Sequence, residues 1–159
     1  GRLAVHLEDS PLNFFRGYHD GQGADRITDD GWYLTGDLAI HSSEGHFTFA
    51  SRSDDVILTA GYRVGPTEIE EPLLRHPAVQ DCAVVGRPDD ERGQVIVAFV
   101  VPVDPEVDTQ HLLEELRATV KRDVAAHLAP REVHLIEGIP RTPSGKAQRF
   151  LLREQLARG

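Results

Sequence analysis

Two runs of β-branched residues, Val79 to Val85 and Val95 to Val101, flank the turn-forming segment Pro88-Asp89-Asp90-Glu91-Arg92-Gly93. β-Branched side chains suit the pleated, buried surface of a sheet, whereas Pro, Asp and Gly in succession favour chain reversal. The pattern predicts two sheet strands with a mobile connection, and it commits the surrounding segments to covering that sheet. Those segments are suited to the task. Gly65-Pro66 opens a helix with proline at its first position, with Glu68, Glu70 and Glu71 in or just after its first turn and Arg75 and His76 at its far end before Pro77. Ile69 and Leu73, four apart, give that helix a buried stripe. Leu112, Leu116, Val120, Val124 and Leu128 recur at every fourth residue, which predicts an amphipathic helix from about Thr109 to just before Pro130. Val56 to Leu58 and Val133 to Ile136 read as further strands, and a loop from Gly138 to Gly145 leads into a short basic helix from Lys146. Beyond Asp54-Asp55 the chain therefore reads β-α-β-β-α-β-loop-α, a compact α+β domain.

The first third is built differently. Glycine, proline and aspartate punctuate it from Asp9-Ser10-Pro11 through Gly21-Gln22-Gly23 to Asp29-Asp30-Gly31, around short β-type runs at Leu3 to Leu7 and His46 to Phe49. With 40% apolar residues in 159, the chain has material for one ordinary core or two small ones, so a disordered tail is excluded. The formal charge of −9 argues against a surface that binds duplexes by neutralising phosphates, and no nucleic-acid partner is expected. That charge is uneven: −6 over residues 1–55, −7 over 56–140 and +4 over 141–159. Cys82, alone, cannot form an internal disulfide, and no stretch approaches the roughly 20 apolar residues of a transmembrane segment. A reducing compartment, the cytoplasm, is expected. The chain contains no methionine and no charged-then-apolar leader, so Gly1 is expected to mark a cut within a longer protein.

Standard catalytic patterns fail. Gly145-Lys146 would need glycine at position 140 and Ser or Thr at 147 for a Walker loop, and Pro140 and Ala147 stand there. Arg26 occupies the position where Gly21 and Gly23 would need a third glycine to bind a dinucleotide. Eight histidines without paired spacing, and one cysteine, make no zinc site. Three segments nevertheless carry chemistry. In Gly31-Trp32-Tyr33-Leu34-Thr35-Gly36-Asp37, aromatic bulk precedes a glycine-aspartate turn whose carboxylate can accept hydrogen bonds from a pair of hydroxyls. From Ser51 to Glu70, arginines and glycines surround an acidic pair. In Pro140 to Arg149, a lysine sits at the tip of a proline-braced loop among other cations.

Together and in this order, these segments resemble the C-terminal part of the adenylate-forming enzymes, the superfamily of acyl-CoA synthetases, peptide-synthetase adenylation domains and luciferases. Gly61-Tyr62-Arg63-Val64-Gly65-Pro66, with Leu74-Arg75-His76-Pro77-Ala78-Val79 and Val84-Val85-Gly86-Arg87-Pro88-Asp89, is most similar to the acetate, medium-chain and aryl-acid CoA ligases. The resemblance implies that residues 1–53 end a large N-terminal AMP-binding domain, and that 54–159 form a small mobile domain turning about Asp54. It implies that Asp37 accepts hydrogen bonds from both ribose hydroxyls of ATP, that Arg52 contacts the same ribose, and that Arg63 approaches nucleotide phosphate. Lys146 is then the adenylation lysine. Ala60, Gly61 and Tyr62 line the path of the CoA arm, Lys121 or Arg122 stands where some relatives hold a CoA phosphate, and His76 where some bind a structural cation. The implied reactants are a carboxylic acid, ATP with Mg2+, and CoA, and the implied partner is the absent N-terminal domain.

The residue types fit that chemistry. Carboxylate attack on the α-phosphate brings two anions together, and a lysine ammonium is a positive charge able to bridge them. Gly61 leaves room where a side chain would narrow a channel, or else supplies a positive φ. Two departures from the family pattern are Ser51, where glycine is usual before the arginine, and Leu34, where many members are polar. Two other readings stay open: loading of a carrier protein's phosphopantetheine arm in place of CoA, and a non-catalytic module that binds a nucleotide or a partner.

Overall fold

The computed structural model describes residues 1–10 and 26–158. The turn signals at Pro11 and at Gly21 to Gly23 lie outside the described residues. The chain divides into two compact units, Gly1–Asp54 and Asp55–Gly159.

The first unit is a three-stranded antiparallel sheet in the order β1-β2-β3, with β1 at Arg2–His6, β2 at Trp32–His41 and β3 at Phe47–Arg52. Gly36-Asp37, expected at a turn, lies inside β2. The reason is a bulge: β2 advances from Leu34 to Leu38 while β1 moves only from Ala4 to Arg2, and Gly36 absorbs the excess at φ +81°. A turn at Ser43-Glu44-Gly45 joins β2 to β3, with Gly45 N–H donating to Ser42 O and Gly45 at φ +84°.

The second unit is α+β. Its centre is the hairpin of β6 (Val79–Asp89) and β7 (Gly93–Pro102), in continuous register from Asp81↔Val101 to Asp89↔Gly93. The connection expected to be loose is only Asp90-Glu91-Arg92, because the Asp89 carboxylate accepts from the N–H of Glu91 (3.2 Å) and Arg92 (2.9 Å) and folds the turn back on itself. Along the other edge of β7, β4 (Ile57–Thr59) pairs at one end through Thr59↔Gly93, and β8 (Glu132–Leu135) runs parallel from Val97↔Glu132 to Val100↔Leu135. Outside β4 lies β5 (Tyr62–Val64), a strand too short to read from sequence.

Both faces of this sheet are covered, which is why its strands read as unbroken apolar runs. On one face Cys82, Val84, Ile96, Ala98 and Val100 pack with Ile69 and Leu73 of α1 (Pro66–Leu74) and with Leu112, Leu116 and Val120 of α2 (Thr109–Asp123). On the other, Ala83, Val85, Val95, Val97, Phe99 and Val101 meet Ile139 and Leu152 of α3 (Arg149–Arg158). α1 begins as expected, with Pro66 at its first position and the Glu68 carboxylate accepting from Gly65 N–H at 3.2 Å.

Two helix expectations need correction. The four-residue repeat overran α2, which stops at Asp123; the N–H groups of Val124 and Ala125 both close on Val120 O, and Leu128 is buried from a separate 3₁₀ turn, Ala126–Leu128. The chain must leave the helix there because the Arg117 guanidinium donates to Pro130 O (2.8 Å) and to Arg131 O, fixing the returning strand beside the helix that precedes it. The basic helix begins at Arg149 rather than Lys146. Residues 141 to 147 instead form a tight reversal closed by an antiparallel bridge Arg141↔Ala147.

Candidate active site

In the first unit, the bulge at Gly36 brings Asp37 opposite Arg52 across β2 and β3. Arg52 Nη1 donates to Asp37 Oδ1 at 3.0 Å and to Thr35 O at 3.1 Å, and its Nε donates to Asp54 Oδ1 at 3.3 Å. A Cβ on residue 36 would sit 2.9 Å from Arg52 Nη2 and 3.2 Å from Arg26 Nη1, so glycine is what lets two guanidinium groups approach the strand. Burial by itself would lower the Arg52 pKa, but the hydrogen bond it donates to Asp37 and the charges of Asp54 and Asp37 outweigh it and hold the guanidinium above its ordinary value. Thr35 Oγ1 accepts from Asp37 N–H at 3.0 Å and fixes the carboxylate's backbone. The arrangement leaves Asp37 Oδ2 without a donor among the described residues, and its partner Arg52 lines a cleft of about 210 Å³ together with Arg2, Leu3, Arg26, Leu34 and Asp54. A half-exposed carboxylate with one oxygen tethered and one free can accept from a hydroxyl pair.

In the second unit, Lys146 follows the tip of a tight loop. Thr142 N–H donates to Lys146 O (2.8 Å), Gly145 N–H to Thr142 O (2.8 Å), and Lys146 N–H to Thr142 Oγ1 (3.1 Å). Gly145 takes φ +84°, which no other residue type adopts readily. Arg141 then ties the loop down from outside: its Nη1 donates to Gly145 O at 2.8 Å, and its Nη2 to both oxygens of Asp81 at 2.9 and 2.7 Å. The Lys146 side chain is exposed, and its ammonium makes no hydrogen bond or ion pair with any described residue. A fixed backbone thus presents an uncommitted cation.

The third feature is the β4–β5 hairpin. Thr59 pairs with Tyr62 across a two-residue loop in which Ala60 (φ +49°) and Gly61 (φ +84°) are both left-handed, the geometry of a type I′ turn. A Cβ on Gly61 would touch nothing, so the glycine is there for its backbone or for what passes over it. Ala60 N–H donates to Arg92 O (2.9 Å), and Leu58 N–H to Gln94 Oε1 (2.7 Å), which hold the hairpin to β7. The Tyr62 ring lies 4.2 Å from that of His127. Arg63, exposed on β5, has no ion pair with a described residue, and neither does Lys121 at the end of α2. Arg122 is committed to Asp123 at 2.7 and 3.1 Å.

His76 stands apart. Its Nδ1 accepts from Ala78 N–H at 3.3 Å and its Nε2 faces Glu115 at 3.7 Å, beside a cleft of about 330 Å³ at the end of α1. Among the described residues, no three His, Cys, Asp or Glu side chains gather into a metal site.

Sequence reasoning did not single out Arg26, Asp81, Gln94 or the pairing of Arg149 with Glu70. The signal lay in acids placed among apolar neighbours, Glu70 beside Ile69 and Asp81 inside the β6 run, since a carboxylate there needs a buried cation or a donor. Arg149 supplies it: Nη2 donates to both Glu70 oxygens at 2.8 Å, and Val84 N–H donates to Oε1 at 2.8 Å.

Residues 68–146 match the family described as the AMP-binding enzyme C-terminal domain. Over 155 residues the chain is 40% identical to 4-hydroxybutyrate–CoA ligase 1 of Metallosphaera sedula, covering 98% of this chain and 28% of that protein. The crystal structure of Brucella canis acyl-CoA synthetase superposes with a TM-score of 0.65 at 42% identity, over 99% of this chain and 29% of the other. An anthranilate CoA ligase in complex with anthranoyl-AMP superposes with a TM-score of 0.74 at 33% identity, over 89% and 28%. The chain therefore spans less than a third of the length of the proteins it matches. No helix among the described residues is long and apolar enough to cross a membrane.

Proposed function

Since residues 68–146 belong to the family of AMP-binding enzyme C-terminal domains, we propose that the chain is the C-terminal portion of an acid–CoA ligase. In the first step the substrate carboxylate attacks the α-phosphorus of ATP, the Pα–O bond to the β-phosphate breaks, and diphosphate leaves. In the second, the CoA sulfur, having lost its proton, attacks the acyl carbon and AMP leaves with the electron pair of the acyl–phosphate bond.

The observation that carries this reading is the uncommitted ammonium of Lys146 on a backbone held from both sides. Bridging the carboxylate and the α-phosphate requires a cation free of internal partners and carried on a fixed backbone, because positioning and preorganised charge supply much of the rate in phosphoryl chemistry. Asp37 Oδ2 would accept from the ribose hydroxyls, Arg52 would contact the same ribose, and Arg63 would meet a phosphate. Ala60, Gly61 and Tyr62 would line the approach of the CoA arm, with Lys121, rather than the paired Arg122, offering a free charge for its phosphate. Asp54 would be the hinge between residues 1–53, the end of the large N-terminal domain, and the mobile remainder. The acid and most nucleotide contacts would lie in that N-terminal domain. With no cluster of hard ligands among the described residues, magnesium would enter on the ATP phosphates, where it keeps part of its water shell. The free thiol of Cys82 fits a reducing compartment such as the cytoplasm.

The test is Lys146→Ala in the full-length enzyme, with the half-reactions assayed separately. Acid-dependent ATP–diphosphate exchange should fall by a factor on the order of 10² to 10³, while supplied acyl-adenylate is still converted with CoA. Equal loss of both half-reactions would remove the role assigned to the lysine.

A further inference from the structure

Asp55 is the first residue of the second unit, and its carboxylate is 14% exposed. Two arginines of α3 hold it: Arg149 Nη1 donates to Oδ2 at 3.3 Å and Arg153 Nη1 to Oδ1 at 3.0 Å. The other edge of the Arg149 guanidinium is the fork that grips Glu70, whose carboxylate is anchored to β6 through Val84 N–H. Arg149 stands three residues after Lys146, and the segment between them is closed by Gln148 N–H donating to Pro140 O at 2.8 Å. One guanidinium thus connects the first residue beyond Asp54, the core of the second unit, and the base of the lysine loop.

We propose that Arg149, seconded by Arg153, is a positioning residue that couples the backbone at Asp54-Asp55 to the Lys146 loop, so that the loop turns as one body with the residue next to the hinge. This rests on the reading of Asp54 as hinge and Lys146 as adenylation lysine. The coupling is needed at that loop and not elsewhere. The β4–β5 hairpin follows Asp55 within a few residues and is carried by covalent continuity, whereas Arg149 is 94 residues away and its guanidinium is the direct side-chain link to Asp55, added to the β4–β7 pairing at Thr59 and the packing of Leu152 on the sheet. The Asp55 contact is separate from the Glu70 one: Glu70 is satisfied by the fork and by Val84 N–H, and the remaining Nη1 of Arg149, with Arg153, pairs the largely buried Asp55 carboxylate.

The experiment is Asp55→Asn in the full-length enzyme, which removes the charge, preserves the shape and leaves the Glu70–Arg149 pair intact. ATP–diphosphate exchange should lose about tenfold in kcat through misplacement of the lysine, while conversion of supplied acyl-adenylate with CoA stays within about twofold and the melting temperature moves by only a few degrees. Arg153→Gln, at a more exposed position, should show the same asymmetry at about threefold. The coupling is overturned if both variants keep wild-type exchange, or if either lowers the two half-reactions by the same factor, as a merely structural role would. Lys146→Ala run alongside separates the failures. If it retains exchange, the lysine assignment fails; if it abolishes exchange while Asp55→Asn and Arg153→Gln do not reduce it, only the coupling fails.

Discussion

The Lys146 loop and the β4–β5 hairpin are both short reversals with left-handed residues at their tips, yet they are built to opposite ends. The lysine loop is held by internal hydrogen bonds and by an external arginine, and it ends in a long, free cation. The hairpin is held by Gln94 at Leu58 and by the carbonyl of Arg92 at Ala60, and its tip, Ala60 at φ +49° and Gly61, carries no side chain larger than a methyl group. One region delivers a charge to a point; the other keeps a surface clear. That contrast is what two successive reactions on one substrate would demand, the first needing a cation between two anions and the second an open approach for a long thiol arm.

The sharpest way to break the contrast is to fill the hairpin tip. Gly61→Leu in the full-length enzyme should lower thioester formation by about 10² and leave ATP–diphosphate exchange within a few-fold, measured as separate half-reactions. Comparable loss in both would mean that the turn serves folding alone. Next in size is Arg149→Met, which strands a buried Glu70 carboxylate and should destabilise the isolated chain by about 3–5 kcal/mol, read from the midpoint of urea unfolding. A smaller effect is expected on the lysine side, where Arg141→Ala removes a half-exposed bidentate contact to Asp81. It should cost up to about 1 kcal/mol of stability and lower exchange several-fold without touching the thioester step. Relief of strain at the hairpin, Ala60→Gly, should change stability by no more than about 1 kcal/mol, because the release of the left-handed alanine is partly offset by a freer unfolded chain.

The last expectation concerns Cys82, buried under α1. Burial first, then the charges of Glu70 and Asp81, push its thiol up to about 12. The folded protein therefore binds this proton more tightly than the unfolded chain. The stabilisation is complete below the ordinary thiol value near 9 and is lost as pH rises from there to about 12. Iodoacetamide at pH 8 should leave Cys82 unmodified in the native protein and alkylate it in urea, as counted by intact mass.

The sheet was legible because β6 and β7 are runs rich in β-branched residues on either side of a turn-forming segment, which tells them apart from a buried helix. α1 was legible at both ends, from Pro66, Glu68 and the Arg75-His76-Pro77 stop. The end of α2 was not, since the repeat through Val124 and Leu128 continues in the sequence after the backbone has broken; what breaks it is Arg117 binding carbonyls of Pro130 and Arg131, a tertiary contact without local signature. Likewise, Asp37 was visible as a carboxylate beside glycine, but that the glycine is a bulge within a strand depends on pairing with β1. Lys146 could be picked out from the family resemblance and from its company of Pro, Ser and Gly. The partners that hold its loop, Asp81 and Glu70, lie 60 and 79 residues away from the arginines they bind and could emerge only from the fold.

The most direct test is chemical labelling of the two lysines in this stretch, Lys121 and Lys146. The full-length enzyme would be treated with an amine-reactive reagent with and without acid and a non-cleavable α,β-methylene ATP analogue, and the peptides quantified by mass spectrometry. Strong protection of Lys146 by the bound pair and unchanged labelling of Lys121 are expected. Equal labelling of Lys146 with and without the ligands, at concentrations that saturate the enzyme, would contradict the role assigned to Lys146.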